Sequence, residues 1–449
     1  MFSKILIANR GEIALRVIRS ARELGIRTVA VYSEPDANSL HTMVAHEKIC
    51  IGPAKASESY LNVPNIISAA LVSKSEAIHP GYGFLAENPR FAEICEAEGI
   101  AFIGPPAQVM RLLGNKSTAR REMKKAKLSV IPGSEDTVSD ATEAKKIAQK
   151  IGLPVILKAS AGGGGKGMRL ARTLAEIDEQ FPIAQSEAKA AFGDSSLYLE
   201  KYFQNARHIE VQVLGDKKGN VTALGERECS VQRRHQKLLE ETPSPIVDDK
   251  FRKKIIKATQ DAAHLINYES LGTFEFLVDE RKRFYFMEAN TRIQVEHPIS
   301  EMLYGIDLVK EQLKIAAGEK LSIHCDQKMK GHSMECRINA EDPGTFIPSP
   351  GQIDFLVFPG GQGIRVDSAA YKGWKIPPDY DSLVAKIVAL APTRKEVITK
   401  MITALEMTTI SGIKTNIPLH LSILSHSDFQ KGDYDIHFLD QFLSIRGKG

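Results

Sequence analysis

Two carboxylates and an amide, Glu275, Glu288 and Asn290, stand where apolar residues would be easier to bury. They sit in two β-rich runs, residues 273–278 and 284–289, joined by a charged turn in the pattern of an antiparallel pair. A period of two puts Glu275 and Leu277 on one face of the first run, and Glu288 and Asn290 on one face of the second. If those faces coincide, three oxygen ligands converge. Such a set makes a poor general acid/base pair unless something separates its pKa values. It suits Mg²⁺, a hard cation that retains waters and takes phosphate oxygens, so a nucleotide is the natural partner. The competing reading is two half-exposed strand glutamates with Asn290 ending the strand. Just downstream, Arg292, Gln294 and Glu296 alternate, which would set a fixed cation, an amide and a carboxylate on one side, able to hold a small oxyanion beside a base.

A second chemical signal is the run Ala161-Gly162-Gly163-Gly164-Gly165-Lys166-Gly167, which follows an apolar strand ending in Lys158. Consecutive glycines let backbone N–H groups approach phosphate oxygens and permit positive φ, although a plain flexible hairpin has the same composition. Gly162, Gly164 and Gly167 satisfy G-x-G-x-x-G, but Met168-Arg169-Leu170 reads as a strand and not as the helix a dinucleotide fold needs. A Walker A loop is excluded because Gly167 follows Lys166. A glycine lid between antiparallel strands, with Lys158 aimed at phosphates, fits better. His208, Glu210 and Gln212 alternate along an otherwise apolar strand, and residues 226–237 are dense in polar groups that a surface charge run would also explain. Pro80-Gly81-Tyr82-Gly83-Phe84 is a turn carrying aromatic rings, Glu87 and Asn88 read as helix caps, and Arg337 is expected half-exposed on a sheet edge.

The elements that must position these groups follow from periodicity. Strand, helix and strand over residues 5–7, 12–24 and 28–32, continued to residue 103, describe an open α/β layer ending near Gly114. The turn at residues 9–12 has a single glycine, so the dinucleotide fingerprint is missing. Three pieces are expected: an α/β domain over 1–114, a nucleotide-binding region over 115–330 with a small lid at 131–203, and a turn-rich, mixed β-rich segment over 331–446. A length of 449 residues implies two to four domains, and a net charge of +4 with interspersed signs argues against nucleic acid. No apolar run approaches the roughly 18 residues of a membrane span, and a strand pattern begins at Lys4 without a signal peptide, so a soluble cytoplasmic protein is expected. Cys50, Cys95, Cys229, Cys325 and Cys336 are scattered and odd in number, which fits reduced thiols better than disulfides or zinc.

Seven segments together resemble biotin carboxylase, the ATP-grasp subunit that carboxylates biotin. They are Ile7-Ala8-Asn9-Arg10-Gly11-Glu12-Ile13-Ala14, His79-Pro80-Gly81-Tyr82-Gly83-Phe84-Leu85, Lys158-Ala159-Ser160 with its glycines, residues 207–212, residues 232–237, residues 288–298, and Glu335-Cys336-Arg337-Ile338-Asn339-Ala340-Glu341. The resemblance runs from Lys4 to about Asn416 and implies an α+β ATP-grasp fold. It implies that Lys116 and Lys158 contact ATP phosphates, that Gly164 and Gly165 cover them, and that Glu200, Lys201, Tyr202 and Phe203 hold the adenine above Leu277. His208, Gln232 and His235 would meet the ribose or phosphates, while Glu275, Glu288 and Asn290 would bind two ions of Mg²⁺ or Mn²⁺. Lys237, Arg292, Gln294 and the backbone of Val295 would hold bicarbonate, Glu296 would deprotonate it, and Tyr82 and Arg337 would meet biotin.

Two positions depart from the family pattern. Ala161 opens the glycine run where many members have Gly, and Gln362 stands where relatives often place an aromatic at a homodimer contact, whereas Arg19, Glu23 and Arg365 match that contact. A homodimer is therefore expected. No Ala-Met-Lys-Met carrier motif occurs, so biotin is expected on a separate biotin carboxyl carrier protein, with carboxyltransferase subunits completing an acetyl-CoA carboxylase of fatty-acid synthesis. The rival enzyme is a relative of carbamoyl-phosphate synthetase, and the rival from another class is a silent nucleotide-binding module.

Overall fold

The computed structural model describes residues 1–160, 168–323 and 328–446. The glycine run, with Gly162, Gly164, Gly165, Lys166 and Gly167, lies outside the described residues, as does Cys325. The first segment is a five-stranded parallel sheet in the order Glu47–Cys50, Arg27–Tyr32, Lys4–Ile7, Ala77–His79, Ala101–Phe102. Ile5, Leu6 and Ile7 are fully buried in succession, as a parallel strand covered on both faces requires. Asn62, Asn88 and Asn115 start three of its following helices by accepting backbone N–H bonds. Asn88 alone supplies the cap expected at its helix; Glu87 turns away and accepts from the Thr291 N–H at 2.9 Å.

The small central piece is a three-stranded antiparallel sheet, Met168–Ala171, Val155–Ala159 and Leu197–Lys201, backed by helices Ala141–Ile151 and Leu174–Phe192. Leu157, Leu199, Ile177 and Phe181 give it an apolar core of its own. Met168 opens a strand and not a helix, as expected.

The largest sheet has eight antiparallel strands in the order Phe284–Asn290, Ser270–Asp279, Ala206–Gly215, Val221–Arg233, Gln236–Thr242, His332–Asn339, Leu383–Ala391, Ile364–Ser368, and Phe355–Val357 pairs apart from it with Thr409–Ser411. Pairing of Gln236–Thr242 with His332–Asn339 carries it without a seam from the central into the C-terminal segment. Arg337 therefore does not lie on a sheet edge: its strand is interior, and its side chain is 15% exposed. The helix Asp249–Leu265 covers the apolar face with Phe251, Ile255 and Ala262 against Val211, Val213 and Phe274. The other face of Ala206–Gly215 carries His208, Glu210 and Gln212, all buried, as the alternation predicted.

Candidate active site

A cleft of about 1520 Å³ opens between the three segments. The two carboxylate strands pair with Glu275 opposite Glu288, and the Asn290 amide donates to Glu275 Oε1 at 2.8 Å. The three expected ligands thus share one face. Residues 291–296 do not continue as an extended run, so the expected alternation of Arg292, Gln294 and Glu296 is not the cause of their meeting. The chain leaves the sheet after Asn290, and Glu296 precedes the helix His297–Tyr304. Gln294 bridges the bend, donating to Glu275 Oε1 at 3.1 Å and accepting from Arg292 at 3.0 Å. Glu87, on the first segment, holds the other side of Arg292 at 2.9 Å. The Val295 carbonyl accepts from the fully buried Lys386 at 3.0 Å.

Lys237 is the hub. Its ammonium lies 2.6 Å from Glu210, 2.9 Å from Glu275 and 2.7 Å from Glu296. Arg337 meets the other oxygen of Glu296 at 3.0 Å and also holds Glu240. Glu296 is fully buried behind these two cations, whereas the other described candidate residues line the cleft. Burial alone would raise the pKa of Glu296, but Lys237, Arg337 and Arg227 outweigh it and hold the carboxyl well below its ordinary range. The group is therefore ionised at neutral pH, the state a proton acceptor needs.

Each of the three carboxylates on Lys237 also has a second cation, Arg227 for Glu210, His208 for Glu275 and Arg337 for Glu296, and Glu288 adds a fourth carboxyl directly opposite Glu275. Burial and the neighbouring charge of Glu275 both push the Glu288 pKa up. Two opposed hard oxygen donors of like charge fit a divalent cation. Glu275 itself is held low, because Lys237 and His208 overcome its burial; His208 Nε2 lies 2.8 Å away and is raised in turn despite burial.

On the wall formed by the small sheet, Lys158 Nζ lies 2.6 Å from Glu200, which Arg120 also holds. The Glu200 carboxylate is therefore committed to positioning Lys158 rather than facing the cleft freely, and the Lys201 ammonium is spent on the Leu153 and Gly152 carbonyls at 2.6 and 3.2 Å. Lys116, Tyr202, Phe203, Gln232 and Leu277 line the same space. His235 sits with Arg234 at the two-residue turn joining Val221–Arg233 to Gln236–Thr242, with φ of 65° and 48°. Two non-glycine residues in the left-handed region form a strained turn, the kind that functional sites retain. At the far end Tyr82 donates to Glu12, and Phe84 stacks on Tyr60 with centroids 4.9 Å apart.

Sequence reasoning missed the C-terminal contribution. Ile436 and His437 line the cleft, and His437 Nε2 lies 2.8 Å from the Tyr202 hydroxyl. No motif surrounds them, and the backbone bond from the Ile436 N–H to the Ala206 carbonyl helps bring them in. Lys386 was also missed, because a lysine inside an apolar strand pattern gives no sign of the carbonyl it holds.

Family models match most of the chain: the biotin carboxylase N-terminal domain over residues 1–110, the ATP-binding domain of the carbamoyl-phosphate synthase L chain over 115–324, and the biotin carboxylase C-terminal domain over 335–441. The chain is 53% identical to the biotin carboxylase of Haemophilus influenzae, covering 99% of this chain and 100% of that one. It is 51% identical to a pyruvate carboxylase subunit of Methanothermobacter thermautotrophicus, covering 98% and 90%. Among solved structures it is similar to the biotin carboxylase domain dimer of the Hydrogenobacter thermophilus 2-oxoglutarate carboxylase in complex with MgADP, ADP and bicarbonate, with a TM-score of 0.94, 49% identity and coverage of 99% and 98%.

Proposed function

The chain belongs to the biotin carboxylase family of ATP-dependent ligases, and we propose that it carboxylates biotin presented by a separate carrier protein, through carboxyphosphate. The observation that carries the reading is the Glu296 carboxylate clamped between Lys237 and Arg337 beside the Glu275–Glu288 pair. In this reading Lys116, Lys158, His208, Gln232 and His235 contact phosphates or ribose, and residues 200–203 with Leu277 surround the adenine. Glu275, Glu288 and Asn290 would hold Mg²⁺ or Mn²⁺, which when bound neutralises charge on the phosphate oxygens.

Bicarbonate binds against Arg292, Lys237, Gln294 and the Val295 backbone. Its hydroxyl proton passes to Glu296 while one of its oxygens bonds to the γ-phosphorus and the bond to the bridging oxygen of ADP breaks. Before reaction Lys237 keeps Glu296 ionised; once the oxyanion draws that ammonium away, the carboxylate becomes a stronger base. Carboxyphosphate then splits into CO₂ and phosphate. The phosphate takes the N1′ proton of biotin, Arg337 offsets the charge on the enolate oxygen, and N1′ bonds to CO₂ while Tyr82 flanks the ring.

The assay is ADP release with bicarbonate, with and without free biotin. Stimulation by biotin that is lost in Glu296→Ala, with ATP binding kept, is the expected result; normal turnover in that variant removes the base assignment. Cleavage that biotin does not stimulate favours a carbamoyl-phosphate-forming relative, and no cleavage at all favours a binding module.

The final acceptor in this proposal is acetyl-CoA, giving malonyl-CoA for fatty-acid synthesis through a carboxyltransferase. Similarity to a pyruvate carboxylase subunit supports a keto acid as the second reading. Capture of the carrier and transferase with the tagged chain, followed by assay for malonyl-CoA against oxaloacetate, separates the two. We also place the chain in a homodimer, for which Arg19 and Glu23, 48% and 52% exposed on the first helix, remain accessible while Arg365 is held by Glu301 and Asp367.

A further inference from the structure

Behind the site, the strands Gln236–Thr242 and His332–Asn339 bring Glu240 directly opposite Glu335, and both side chains are fully buried. One oxygen of Glu240 accepts from Arg337 Nε at 2.7 Å. Its other oxygen and both oxygens of Glu335 are buried without a hydrogen-bond partner among the described residues. The charged groups acting on Glu335 are Glu240 from one neighbouring strand, Lys386 from the other, Arg337 on its own strand, and Glu296 at the head of the helix packed across them. Lys386 is committed to Glu12 at 3.1 Å and to the Val295 carbonyl, and lies 3.9 Å from Asp367, while His297 and Glu301 of that helix face each other at 3.8 Å. On the opposite face of the sheet the helix Arg394–Glu406 presents Arg394 to Glu241, not to this pair.

Two carboxylates directly opposed in a fully buried layer cannot both stay ionised, and three oxygens without donors are too many to leave unmet. A single retained proton removes the repulsion and engages two of the three oxygens, the free oxygen of Glu240 and the one of Glu335 that carries it, since a carboxylic acid is a donor as well as an acceptor. We propose that Glu335 is a positioning residue that keeps its proton at neutral pH and donates it to Glu240, so that Glu240 stays ionised and holds Arg337 in place against Glu296. Burial pushes Glu335 well above the ordinary carboxyl range, with Glu240 and Glu296 adding to the shift against Lys386 and Arg337. Glu240 is pushed by burial only to about 7, Arg337 pulling it back. Glu335 is thus the stronger holder of the shared proton. Were Glu240 to take it, Arg337 would close on Glu296 alone, tightening the ion pair that must open for the base to work. The inference rests on the roles proposed for Glu296 and Arg337.

The test has a readout that does not depend on turnover. Infrared spectra of the full chain at about pH 8, where ordinary carboxyls are ionised, should show the C=O stretch of a protonated carboxylic acid that shifts in D₂O and disappears in Glu335→Gln. In activity, Glu335→Gln replaces the acid by an amide that also donates, so biotin-dependent ADP release should stay within about 3-fold of wild type with an unchanged pH profile. Glu335→Met keeps the volume without the donor and should lose about 10- to 100-fold, the range for a charged group left without its partner. Folding of each variant is checked by circular dichroism. Identical infrared spectra for wild type and Glu335→Gln, or a Gln variant as impaired as Met, overturn the proposal. A wild-type chain that shows the acid band but no biotin-stimulated turnover counts against the proposed function and leaves the proton assignment standing.

Discussion

At the scale of single residues, the site is a set of buried carboxylates held by cations, with Lys237 and Arg337 closing on Glu296. Glu288 is the acid that gains most from a bound divalent ion, because burial and the charge of Glu275 both work against its ionised form. Glu288→Gln should raise the Mg²⁺ concentration needed for half-maximal ADP release by about 10-fold, in line with the loss of one ligand interaction of roughly 1.4 kcal/mol, with little change in fold. Glu296 owes its depressed pKa to Lys237, Arg337 and Arg227 acting against burial. A depressed carboxyl stays charged down to its folded pKa, so the acid limb of bicarbonate-dependent ATP cleavage in the wild type should not report Glu296 near neutrality. Arg337→Met removes one of the three cations, and the acid limb should move to higher pH. An unmoved limb, measured without biotin, would mean that Lys237 and Arg227 suffice.

At the scale of elements, pairing of Gln236–Thr242 with His332–Asn339 decides where charges meet on both faces of the sheet. Glu240 faces the site, while Glu241 faces His332 at 2.7 Å and Arg394 at 2.8 Å. Burial would raise Glu241, but those partners take it down to about 2. Its unfolded pKa is about 4.3, so the stabilisation, up to about 3 kcal/mol, is complete above that value and is lost as pH falls toward 2. Urea unfolding from pH 7 to 2.5 should show Arg394→Met less stable at pH 7 and with a shallower acid loss than wild type. The turn at Arg234 and His235 makes a second case. Arg234 is exposed with φ of 48°, so Arg234→Gly should relieve strain and add up to about 1 kcal/mol of stability in urea. A loss of nucleotide affinity in the same variant is expected, since a looser turn no longer fixes His235 at the cleft.

At the scale of the whole molecule, the cleft exists only because three segments close around it. Lys158 comes from the small sheet, Tyr82 and Lys116 from the first segment and its following helix, and His437 from the C-terminal end. A ligand that bridges them stabilises all three together. MgADP at about 100 times its dissociation constant should add about 2.7 kcal/mol to unfolding, and Lys158→Met should lose most of that at the same concentration. A shift unchanged in the variant would remove Lys158 from the nucleotide site.

Much of this was legible in the residue order. Alternation placed His208, Glu210 and Gln212 on one face, and the hairpin of Glu275 and Glu288 followed from two β-rich runs and a charged turn, because side chains two apart on a strand must share a face. Such periodicity is local, and local geometry is what a sequence dictates. It could not say that Arg337 lies in the interior of a sheet, that Glu200 and Lys201 spend their side chains on neighbours, or that Glu296 is sealed behind Lys237. Strand order, the bend after Asn290 and the arrival of His437 depend on pairings between residues 15 to more than 200 positions apart. Only chain closure and the burial of charge against charge selected them, and those energies belong to the folded whole.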